Sequence, residues 1–270
     1  MTPGHETSAR ELLAFYAEAG VDALVGEEPV NRFADNAAPT GQAAPSVRPA
    51  IAAMPASLEF KGRMNPAPPA PDAAAMAARE AARSAKTLDE LRALLDKFEG
   101  CALKATAKQL VFADGNPAAK VMFVGEAPGR DEDIEGLPFV GRSGKLLDRM
   151  MAAVGLDRKT AYIANIIPWR PPGNRTPTPQ ESQICLPFIQ RQIELANPDI
   201  LVCLGGPSAQ TLLGIKEGIL KSRGRWFPYQ TETREIRAIA TLHPAYLLRQ
   251  PLQKRLAWRD FLAIKKALTY

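Results

Sequence analysis

The sequence predicts an α/β fold: a three-layer α/β/α sandwich around a central, mainly parallel four-stranded sheet. Two observations lead there. Four short apolar runs recur from about residue 120 onward, and each is followed by a longer segment with helical spacing. Strand–helix alternation of this kind joins parallel strands by crossovers and covers both sheet faces with helices.

Taken in order, TLDELRALLDKF (87–98) reads as a helix, with Thr87 as N-cap and Glu90 at capping-box spacing. The strands follow as KVMFV (120–124), AYIANII (161–167), DILVCL (199–204) and IRAIAT (236–241). Between and after them, SGKLLDRMMAAVG (143–155), TPQESQICLPFIQRQIELAN (178–197), PSAQTLLG (207–214) and QKRLAWRDFLAIKKAL (253–268) read as helices. Ligands of such sheets sit beyond the carboxyl ends of the strands. Three segments fall at that edge: 125–142, Asn165 to Arg175, and 242–249.

Upstream, residues 1–35 contain one amphipathic stretch, SARELLAFYAEAGVDALV, and read as a helical appendage. Residues 36–85 are dense in Ala and Pro and read as a linker. The main domain is then 86–270. Residues 1–73 carry five Lys/Arg and nine Asp/Glu, so a chain of net charge +5 keeps +9 on its remainder. A basic body suits a polyanionic partner. No apolar run is long enough to span a bilayer, and the N-terminus has no charged-then-apolar signal pattern. Three cysteines without close spacing argue against a disulfide framework and for a reducing, cytoplasmic setting.

The segment VGEAPGRDEDIEGLPFVGRSGKLLD (124–148) sets five acids, Glu126, Asp131, Glu132, Asp133 and Glu135, among glycines ahead of Phe139. It lacks both G-x-G-x-x-G spacing and a Walker Lys-Ser/Thr pair, which excludes a nucleotide-phosphate cradle. Glu126, Asp131 and Asp133 suit Mg²⁺ by type, but the other strand ends offer no further carboxylate. A pocket for a flat, polar, uncharged ligand fits better. Phe139 supplies a stacking face, Asn165 an amide with adjacent donor and acceptor, and His243 a donor for a developing anion.

GEAPGRDEDIEGLPFVGRSGKLLD, NIIPWRPPGNRTPTPQE and HPAYLLR together resemble the three signature segments of the uracil-DNA glycosylase superfamily, most like its iron–sulfur family 4. The resemblance runs from about residue 86 to the C-terminus. It implies a monofunctional hydrolase that flips uracil out of DNA and leaves an abasic site, with uracil-containing DNA as partner and no obligate protein partner. Glu126, Glu132 and His243 are then the catalytic positions, and Ala127, Phe139 and Asn165 the uracil-binding ones. Which glutamate handles water is open. Arg142, Ser143, Arg175, Ser208 and Arg249 are expected on the DNA backbone, together with Lys145, Arg170 and Arg223. Leu248 is a candidate wedge for the gap left by the flipped base. Asp131, Asp133 and Glu135 read as solvated loop acids.

The family's four cluster cysteines fall here on Phe98, Cys101, Trp169 and Cys185. A [4Fe–4S] cubane takes four thiolates, so the expectation is no cluster and no cofactor, with the two aromatics filling its volume. The rivals are a uracil- or abasic-DNA-binding protein with little catalysis, a glycosylase for other deaminated bases and, more distantly, a metal-dependent nuclease.

Overall fold

The computed structural model describes residues 71–268. The expected N-terminal helix and the linker up to residue 70 lie outside the described residues. Six strands form one sheet: β1 (Ala113–Gly115), β2 (Val121–Gly125), β3 (Ala161–Asn165), β4 (Ile200–Leu204), β5 (Trp226–Gln230) and β6 (Glu235–Thr241), in the spatial order β1-β3-β2-β4-β6-β5. The central four, β3-β2-β4-β6, are the expected apolar runs, and they are mutually parallel. β1 and β5 extend the sheet by antiparallel pairing at its edges. Neither edge strand is a continuous buried run like the central ones: β1 reads ADG, and β5, WFPYQ, is broken by Pro228 and mostly exposed or half-exposed.

Alternation along the strands divides the core. Val121 and Phe123 point to one face, where they pack with Leu147, Met151, Phe261 and Ile264 from helices α4 (Arg142–Ala153) and α9 (Lys254–Leu268). Met122 and Val124 point to the other, towards α5 (Pro179–Ala196) and α6 (Gly206–Leu213). Helix α2 (Leu88–Lys97) closes that second face. Thr87 Oγ1 accepts the Glu90 amide at 3.2 Å, while the Glu90 carboxylate takes the amide of Lys86 rather than of Thr87.

Residues 71–84, expected as part of the linker, are helical. Pro71–Ser84 is helix α1, with Ala74, Ala78 and Ala82 buried in the same core as α5. Alanine is the strongest helix former, and an i, i+4, i+8 alanine stripe lets a helix lie close against its neighbour. The Ala-rich end of that text is therefore a packed helix.

The segment after β2 is also more ordered than a loop. Arg130–Glu135 forms helix α3, stopped by Gly136 in the left-handed conformation. The remaining helices are α7 (Ile219–Ser222) and α8 (Pro244–Arg249).

Candidate active site

The order β3-β2-β4 puts strands on both sides of β2, so the crevice opens at the carboxyl end of β2. A cleft of about 620 Å³ lies there, lined by Glu126, Ala127, Glu132, Phe139, Ser143, Asn165, Arg175, His243 and Arg249 among others. Residues from all three strand-end segments thus meet in one place.

Asn165 ends β3, paired in register with Gly125 at the end of β2. It is 5% exposed, and its Oδ1 is buried without a hydrogen-bond partner. An unsatisfied buried acceptor has a desolvation cost that a ligand donor can relieve. Gly125 makes room for this arrangement: a Cβ there would lie 2.4 Å from Asn165 Oδ1 and 2.6 Å from Phe139 Cζ. Any side chain at 125 would fill the gap between amide and ring.

His243 precedes α8 and caps it with its own ring, Nδ1 accepting the amide of Ala245 at 3.1 Å. With Nδ1 occupied as acceptor, the neutral imidazole carries its proton on Nε2. Desolvation, with a smaller contribution from the Arg249 charge, pulls its pKa down to about 4. The ring therefore stands neutral at physiological pH as a donor. It also lies against Phe139, ring centroids 5.5 Å apart.

The two glutamates have different surroundings. Glu126 is half-buried on the cleft wall, and burial raises its pKa above the usual carboxylate value. Glu132 is buried with both oxygens committed: Oε2 accepts Gly129 N at 3.0 Å and Oε1 accepts Gly141 N at 2.9 Å. It ties the start of α3 to the start of α4.

The matching family model is that of the Uracil DNA glycosylase superfamily, over residues 112–262. The chain belongs to that superfamily. It is 38% identical over 180 residues to a type-4 uracil-DNA glycosylase of Archaeoglobus fulgidus, covering 65% of this chain and 90% of that protein. Type-4 relatives from Saccharolobus solfataricus and Thermotoga maritima are 40% and 41% identical, covering 67% and 57% of this chain and 84% and 79% of their own.

Against this superfamily background several expected residues need reassignment. Ser208, expected on the DNA backbone, is fully buried and donates to the Val124 carbonyl at 2.7 Å, tying α6 to β2. Arg223, also expected on DNA, is held against α9 by Asp260, Nε to Oδ2 at 2.9 Å, and by the Leu256 carbonyl. Asp133 is no solvated acid. It is 2% exposed, accepts the Lys108 amide at 2.8 Å and lies 3.9 Å from Arg170. Asp131 and Glu135 are exposed as expected. Arg175 lines the cleft but forks onto Glu181 at 2.9 and 2.6 Å. Arg142, Leu248 and Arg249 border an adjoining groove with Arg130, and Leu248 is 37% exposed there.

Of the four positions where the resemblance puts cluster cysteines, Cys101, Trp169 and Cys185 lie in the core on the α5 side of the sheet, and Phe98 packs against it. Cys185 Sγ lies 3.9 Å from Cys101 Sγ, Trp169 is 1% exposed, and Phe98 meets Phe188 edge-on at 5.0 Å. The third cysteine, Cys203, is buried on β4, where desolvation pushes its thiol up to about 12. Two thiols among packed aromatics do not supply the donor set of a cubane cluster.

Proposed function

We infer that the chain is a uracil-DNA glycosylase, which hydrolyses the bond between uracil N1 and deoxyribose C1′ and leaves an abasic site. The unpartnered Asn165 Oδ1 carries this reading. Facing uracil, it accepts the N3–H while the same amide donates to O4. Cytosine has no proton at N3 and a donor in place of O4, so it leaves both groups mismatched in a buried site. Phe139 stacks beneath the flipped ring, a contact worth about 1–3 kcal/mol in comparable base–aromatic pairs. As the bond breaks, N1 keeps the bonding pair and charge builds on uracil O2. His243 Nε2–H and the backbone amide of Ala127 stabilise it. Glu126, in its poorly screened position, stabilises the positive sugar and orients the water whose oxygen adds to C1′; the proton that water loses balances the one the departing uracil anion takes up. Glu132 is better read as a positioning residue than a catalytic one, because backbone amides occupy both its oxygens.

On the DNA side, Arg142 and Ser143 at the start of α4, with Arg249, contact phosphates, and Leu248 fills the base gap. Arg175 serves chiefly to hold the 171–177 loop through Glu181. The reading includes no iron–sulfur cluster, supported by the aromatic residues at two of its four positions. Iron analysis and the absence of absorbance at about 400 nm in anaerobically purified protein test this; stoichiometric iron overturns it. Among the described residues no helix is long and apolar enough to cross a membrane, and buried unpaired thiols suit a reducing cytoplasm.

The deciding experiment incubates the protein, in EDTA, with labelled oligonucleotides carrying uracil, hypoxanthine or thymine, followed by alkali. Strand breaks only at uracil and only after alkali are expected. Binding without breaks, or breaks before alkali, refutes the reading.

A further inference from the structure

Phe139 is one of the few non-glycine residues with positive φ, at 55°. A bulky side chain enters the left-handed region only when its surroundings impose it. One feature makes room for it here, and another holds it. Gly144, in the first turn of α4, has no side chain, and a Cβ there would sit 1.6 Å from the Phe139 carbonyl oxygen. From the other side Arg158 donates to that same oxygen through Nη2 at 2.5 Å and to the Pro138 carbonyl through Nη1 at 3.2 Å.

Arg158 is itself fixed. Its Nε donates to Asp148 of α4 at 3.0 Å, and Nη1 pairs with Asp114 on the edge strand β1. Every nitrogen of the guanidinium therefore has an acceptor, and its charge faces two carboxylates. A planar fork can hold two carbonyls and two carboxylates at once; a lysine ammonium cannot reproduce that geometry.

We propose that Arg158 is a positioning residue for base recognition, holding the Phe139 backbone so that its ring forms one wall of the uracil slot. The proposal rests on the reading of Phe139 as the stacking floor. Arg158 does not touch the substrate; it acts through the 138–139 carbonyls. It also gives the short strand β1 a task in the site, as the rigid support for one of the two carboxylates.

The test is a double-mutant cycle with Phe139→Ala and Arg158→Ala, measuring kcat/KM on a single-stranded uracil oligonucleotide well below each variant's Tm. Each single change is expected to lower kcat/KM about tenfold, and the double variant no further than Phe139→Ala alone, because no ring is left to position. Independent, multiplying losses overturn the proposal, since a merely structural role would weaken both backgrounds alike. If Phe139→Ala has no effect, the stacking reading itself fails, and the two failures are distinguishable. Arg158→Lys retains the charge and serves as the second member of the cycle should Arg158→Ala not fold. Its smaller loss must likewise vanish in the Phe139→Ala background.

Discussion

The cleft at the end of β2 and the aromatic corner on the α5 side lie on the same sheet, yet they are built on opposite terms. In the corner, Cys101, Trp169 and Cys185 are buried in one apolar core, with Phe98 packed against it. In the cleft, Asn165 Oδ1 is buried without a partner and Glu126 is half-buried, its carboxyl perturbed by desolvation alone. One region is finished by the fold; the other is finished only by a ligand. The contrast teaches where substitutions register: corner changes should alter stability, and cleft changes should alter chemistry at nearly constant stability.

The largest expected effect breaks the corner. Trp169→Ala deletes a fully buried ring and should cost about 3–5 kcal/mol in urea unfolding. Activity per folded molecule should change far less. A large loss of activity without loss of stability would erase the distinction. Next comes the cleft: His243→Ala removes the expected oxyanion donor and should lower kcat by roughly 10²–10³, read in single-turnover assays.

His243 also sharpens the comparison through pH. Its folded pKa of about 4 lies below the ordinary 6.5, so the unfolded chain takes up the proton first. Stability from this group is complete above pH 6.5 and is lost as pH falls towards about 4. In His243→Asn, the decline in Tm across that window should be shallower than in the parent; an identical slope would contradict the buried neutral ring. The smallest effect concerns Ser208, whose hydroxyl belongs to the core. Ser208→Ala should destabilise by about 1 kcal/mol while DNA affinity, measured by fluorescence anisotropy, stays unchanged.

The four parallel strands were legible because they are buried on both faces and read as continuous apolar runs. The edge strands were not, since pairing on one side lets ADG and a proline-bearing segment serve as strands. That Asn165, His243, Phe139 and Glu126 line one cleft was legible because each falls in a segment at or after a strand end. What the text hides is partnership. Nothing local distinguishes Asp133, folded inward onto the Lys108 amide, from Asp131, which faces solvent. Ser208 looks like any serine at a helix start until the Val124 carbonyl is found beneath it. Arg158 acts on main-chain oxygens about twenty residues away in sequence, and carbonyls leave no signature in side-chain text.

The two edge strands have a consequence for the company the molecule keeps. A sheet border normally offers unpaired N–H and C=O groups to any passing strand, and so invites self-association. Here one border is only three residues long, and the other carries Pro228, which has no N–H to offer. Among the described residues, neither border therefore presents a long unbroken row of donors.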